Sequence, residues 1–120
     1  MFARLTRIAQ EEISATLRGL PPELAAPARS IAVHCERTPA PDVLAEGFEP
    51  DILGLFSGSP HGNHEDQPMP PQITLYLENL WDYAEGDETV FRDEVRITHL
   101  HELGHYFGWD EDEVDRRGLG

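Results

Sequence analysis

One cysteine, no lysine and no apolar stretch long enough to cross a bilayer set the first limits on this chain. A lone Cys35 cannot close an internal disulfide, so the fold must be held by its core. Because Cys35 lies in the alternating run Ser30 to Glu36, a buried core thiol is expected rather than a reactive or metal-binding one. No N-terminal run has signal-peptide character and no segment approaches the roughly 20 apolar residues that a spanning helix needs, so a cytoplasmic location is expected. Nine arginines stand against 23 acidic residues, for a formal net charge of −14. That balance repels phosphate and argues against nucleic acid or an anionic membrane as a partner. A length of 120 residues with 39% hydrophobic content is enough for a single domain, residues 1–120, with one core and no covalent staples.

What the chain does have is well-marked periodicity. Residues 4–18 place Leu5, Ile8, Ala9, Ile13 and Leu17 on one stripe, an amphipathic helix closed by Gly19 and Pro21 and expected to cover a sheet. Ser30 to Glu36, Ile52 to Ser57 and Gln72 to Leu77 are strand-like, separated by segments rich in Pro, Gly and Asp. The long loop Gly58 to Pro71 is placed to form a wall of a cleft. From Glu88 to Phe107 there is no proline, Asp87 is a ready N-cap, and Val90, Val95, Ile97, Leu100, Leu103 and Phe107 fit a buried helix that Gly108 stops. A short acidic helix, Glu111 to Arg117, closes an α+β fold with a small mixed sheet.

The fourth turn of the long helix reads His101-Glu102-Leu103-Gly104-His105. Residues four apart lie one turn above each other, so His101 and His105 can direct two imidazoles at one ion. Glu102 then stands beside the metal, placed to take a proton from a water that the metal activates. The chemistry implied is zinc-assisted hydrolysis, most often of a peptide bond. His99 lies about 200° around the helix from His101 and is read, like His34 in its strand, as a polar contact or a satisfied core residue.

Hydrolytic zinc needs three protein ligands and an open position. Gly108, three residues after His105, lets the chain turn back through a left-handed conformation, and three residues further stands Glu111. Glu111 ranks first as third ligand and Asp112 second, with His61 and His64 of the long loop as rivals. The competing reading of Asp110, Glu111 and Asp112 is that they cap the closing helix.

The chain resembles the small single-domain bacterial zincin-like metallopeptidases, sometimes called minimal zincins. The resemblance rests on the motif together with Leu53-Gly54-Leu55-Phe56-Ser57-Gly58-Ser59-Pro60, Pro71-Gln72-Ile73-Thr74-Leu75-Tyr76, Val95-Arg96-Ile97-Thr98 and the ending Asp112 to Gly118, and so covers roughly residues 30–120. It implies a compact α+β fold with the metal helix packed on a small sheet, a zinc peptidase activity, ligands at His101 and His105, a general base at Glu102 and an acidic ligand at Glu111. The family often has Asp at the position of Glu111 and a second His at that of Tyr106. No Met follows the motif, so the larger metzincin family is a poor match.

The resulting expectation is a zinc metallopeptidase acting on a peptide or protein substrate. An extended substrate could add to the strand Ile52 to Ser57 at a sheet edge; Tyr76, Tyr83 and Tyr106 are candidates to stabilise an oxyanion, with core or surface packing the favoured reading of each. The rival expectation, motivated by a shallow site on a small scaffold, is a zincin-fold metal-binding or peptide-binding module without turnover. A third is an interaction protein in which the motif is coincidental.

Overall fold

A computed structural model describes residues 1–58, 70–108, 112 and 116. In chain order the elements are α1 (Phe2–Gly19), α2 (Pro22–Arg29), β1 (Ala32–Glu36), α3 (Pro41–Ala45), β2 (Gly54–Ser57), β3 (Gln72–Tyr76), α4 (Leu77–Tyr83) and α5 (Glu88–Tyr106). The sheet is mixed, as the alternating runs suggest, with order β1-β3-β2. β1 runs parallel to β3, with Glu36 opposite Tyr76, and β2 runs antiparallel to it, with Gly54 opposite Leu75. Among the described residues β2 therefore forms one edge of the sheet, as expected for Ile52 to Ser57.

Alternation along these strands divides the sheet into two faces. Val33, Cys35, Ile73, Leu75, Gly54 and Phe56 share the face against which α5 packs. His34, Glu36, Thr74, Tyr76, Leu55 and Ser57 share the other. Cys35 is half-buried against the core, and burial pushes its thiol up, consistent with a packed rather than reactive residue. His34 lies exposed on the opposite face and is a surface residue, not a core one.

The structure differs from the sequence reading in the short helices α2 and α3, which that reading does not include, and in two further features. The amphipathic stripe of α1 packs chiefly on α5 and α4 rather than on the sheet, with Leu5, Ile8 and Ala9 fully within the core. Arg92 of α5 ties the two helices, donating to Glu11 at 3.0 Å, to Glu12 at 2.9 Å and to Glu88 at 3.2 Å. The second difference is α4, which follows β3 without a loop. Its signal is Leu77, Leu80, Trp81 and Ala84 at helical spacing, overlapped by the strand-like run before it. The side chain of Asn79 in α4 donates to the carbonyls of Pro50 and Ile52 at 2.8 and 2.9 Å, fixing the approach to β2.

The long helix forms as its sequence dictates. Asp87 caps it by accepting from the Val90 amide at 3.0 Å, and Gly108 ends it at φ +78°, a left-handed conformation that suits glycine. Of the closing acidic helix, Asp112 and Arg116 are helical; the rest of Glu111 to Arg117, and residues 59–69 of the long loop, lie outside the described residues. No helix among the described residues is long and apolar enough to cross a membrane.

His99 is a core residue, but not a satisfied one. It is fully buried on α5, and neither ring nitrogen has a hydrogen-bond partner among the described residues. Burial lowers its pKa from 6.5 to about 4, because the imidazolium would lose its hydration with no partner in return. The unfolded chain thus takes up a proton that the folded one refuses, and stability falls as pH drops from 6.5 towards 4. The expected loss from this group is on the order of 3 kcal/mol. Urea unfolding of metal-free protein across that range, compared with His99→Leu, measures it: the variant should lose this share of the pH slope, and an unchanged slope would show that His99 is solvated or paired.

Candidate metal centre

Three side chains on the exposed end of α5 converge. The potential ligand atoms of His101, Glu102 and His105 all lie within 4.8 Å of one another, and the two imidazole centroids are 4.8 Å apart with planes at 81°. The helix itself produces this, since His101 and His105 are four residues apart. Burial grades across the group: Glu102 is buried, His101 half-buried and His105 exposed. Two imidazoles at this spacing suit a borderline cation such as zinc better than magnesium or calcium, which prefer oxygen-rich shells, and the Glu102 carboxylate stands beside them.

Beside these residues lies a cleft of about 340 Å³ formed between α5 and the start of β2. Ile52, Leu53 and Gly54 line one wall, and Glu94, Ile97 and Thr98, with His101 and Glu102, line the other. The close approach of the walls depends on Gly54. A Cβ built there would stand 2.6 Å from Cγ2 of Thr98 and 3.3 Å from the Thr74 carbonyl oxygen. The sequence signal was a glycine inside a strand of larger residues, which marks close approach of another element. Glu94 and Thr98, on the same stripe of α5 as the motif, were not singled out from sequence.

Other sequence candidates fall elsewhere. None of Tyr76, Tyr83 and Tyr106 lines this cleft among the described residues. Tyr106 packs in the core against Phe56 and Phe107, Tyr83 is exposed on α4, and Tyr76 faces the far side of the sheet. Asp112 is exposed and is not among the residues that converge with His101 and His105. Glu111, His61 and His64 lie outside the described residues.

Residues 28–119 match the family described as zincin-like metallopeptidase. The chain belongs to that family. Its α+β architecture, with the His-Glu-His cluster on a long helix against a small mixed sheet, is the one the resemblance implies. A search of curated proteins finds no match. The matched stretch begins within α2, so α1 precedes it while packing on the zincin helix α5.

The Gly54 contact is open to direct test. Gly54→Ala should destabilise the protein by about 1–3 kcal/mol, because either β2 or α5 must shift to relieve the overlap. Thr98→Ser removes the offending methyl, so the double variant should recover part of the loss in a thermodynamic cycle of chemical unfolding. Strict additivity of the two changes would mean that these residues do not meet.

Proposed function

We propose that this chain is a zinc-dependent peptidase that hydrolyses peptide bonds at the His101, Glu102 and His105 cluster. The observation that carries the reading is the convergence of those three side chains within 4.8 Å at the rim of an open cleft, in a chain of zincin-like family. A bound zinc ion would supply Lewis acidity, lowering the pKa of a coordinated water towards roughly 7 and polarising a carbonyl. His101 and His105 would hold the ion through imidazole nitrogens. Glu102, buried beside them, accepts the proton of the attacking water at its carboxylate and delivers it to the departing amine.

Glu111 is the third ligand in this proposal. The turn at Gly108, left-handed as the spacing requires, supports a chain that doubles back after α5, and Asp112 does not converge with the histidines. The substrate lies along β2, an edge of the sheet among the described residues, where backbone groups can take up an extended chain beside the cleft.

Metal analysis checks the ligands. Purified without a histidine tag, the protein should carry one zinc; His101→Ala and His105→Ala should each abolish stoichiometric binding, and Glu111→Ala should weaken it far more than Asp112→Ala, His61→Ala or His64→Ala. Full zinc in both histidine variants would place the site elsewhere. Glu102→Gln separates enzyme from binding module: zinc content and fold should persist while cleavage of a broad peptide library falls by a factor on the order of 10² or more. Turnover that survives this change would sink the general-base role. Zinc-loaded wild type that cleaves nothing in the library would favour the binding module.

A further inference from the structure

The face of the sheet turned away from α5 carries a second cavity, of about 420 Å³. Its floor is the outward side of β2 and β3, including Leu55, Thr74 and Tyr76, and its far wall is α3 with the segment after it. Three carboxylates border it, Glu36, Asp42 and Glu46, together with Phe48, a large apolar side chain left 40% exposed. None of the three carboxylates has a salt-bridge partner among the described residues, although Arg37, next to Glu36 in sequence, pairs instead with Glu78 at 3.1 Å.

Tyr76 supplies an independent pointer to a ligand. The residue is 1% exposed and lines this cavity; no hydrogen bond of its hydroxyl is present among the described residues, and the hydroxyl keeps contact with solvent rather than being sealed in the core. A hydroxyl on a ring otherwise removed from water, opening on the side of the cavity near Glu36 and Asp42, is free to exchange its water for a ligand. Burial, then the Glu36 and Asp42 carboxylates, push its pKa up, so it stays a neutral hydroxyl. An aromatic ring with negative charge around it favours an organic cation.

We propose that this cavity binds the cationic side chain of a basic residue, arginine above lysine, presented by a polypeptide. A single divalent ion fits less well: among the described residues the only three ligand groups close enough to share one are His101, Glu102 and His105. The acids of this cavity are spread around a volume that suits a planar guanidinium on an aliphatic stem, with Glu36 or Asp42 as the bidentate partner and Phe48 covering the stem. A polypeptide source follows from position. Leu55, Ser57 and Gly58 line the cavity, and among the described residues β2 is one edge of the sheet; a chain added there projects alternate side chains onto this face. The edge-binding part rests on the reading of β2 given for the peptidase, whereas the cation site stands on the cavity itself.

Calorimetric titration of the full chain in EDTA tests it, using arginine amide, citrulline amide, and the peptide acetyl-Ala-Val-Arg-Val-Ala-amide with its citrulline counterpart. The arginine compounds should bind with dissociation constants of about 1 mM or tighter, and the neutral citrulline compounds about tenfold more weakly or worse. Tyr76→Phe and the pair Glu36→Gln with Asp42→Asn should each weaken arginine binding by about fivefold or more, with unchanged melting temperature for Tyr76→Phe. The peptide should bind more tightly than arginine amide. Equal affinity would overturn the polypeptide source in favour of a free cation, and calcium that displaces arginine amide would overturn the organic cation. Absence of saturation, or citrulline binding equal to arginine, would refute the site. Because the protein is metal-free, these failures leave the hydrolytic reading untouched, and an inactive metal centre leaves this titration intact.

Discussion

The contact between Gly54 and Thr98 governs the geometry of this molecule. Only a residue without a side chain lets β2 approach α5 so closely, and that approach sets the motif residues against the sheet edge. His101 and Glu102 are placed by the helix in relation to each other, but they acquire a cleft because a strand lies alongside. A larger side chain at position 54 would force the walls apart in a packed interior that has little room to relax. Asn79 reinforces the arrangement from the other end by holding the carbonyls of Pro50 and Ile52, so the strand enters the cleft from a fixed direction.

α5 meets several demands at once, and its orphaned histidine shows the tension among them. Phe91, Val95, Leu103 and Tyr106 are buried in the core, while His101 and His105 turn towards solvent and Arg92 reaches α1. The apolar contacts dominate the attachment of α1, since Leu5, Ile8 and Ala9 are removed from water whereas Arg4 and Arg92 pair with glutamates that are partly or largely exposed. Arg4 and Arg92 hold the Glu88 carboxyl below its usual range, a local preference rather than a main source of stability. His99 falls on a buried position of the same helix and has no hydrogen-bond partner among the described residues. Its polar atoms oppose folding, which the surrounding apolar burial must outweigh.

Legibility in the sequence followed the range of the interactions. The metal helix was plain because its cap, its apolar spacing, its histidine pair and its terminal glycine are all local, and the structure repeats them from Asp87 to Gly108. All three strands appear within the runs that predicted them, and the edge position of Ile52 to Ser57 was foreseen. Pairing order, by contrast, depends on contacts between distant segments, so the central place of β3 could not be read. α4 was hidden because Leu77 ends a strand-like run and begins a helical one. His99 was misjudged for a related reason: a single histidine on a helical pattern does not reveal whether the opposite wall offers a partner.

The two faces of the sheet also bear on how one extended chain would meet the protein. The beginning of β2 borders the metal cleft and its later residues border the acidic cavity, on opposite sides of one strand. Side chains of an added strand alternate between those sides, with a rise of about 3.4 Å per residue. A basic side chain reaching the acidic cavity and a side chain turned towards α5 would therefore stand an odd number of positions apart. Slipping by one residue would exchange the two sets, bringing apolar or acidic side chains to Glu36 and Asp42 and the cation to the helix side. Charge on one face could in this way fix the register in which a peptide bond is offered on the other, without any contact between the two sites.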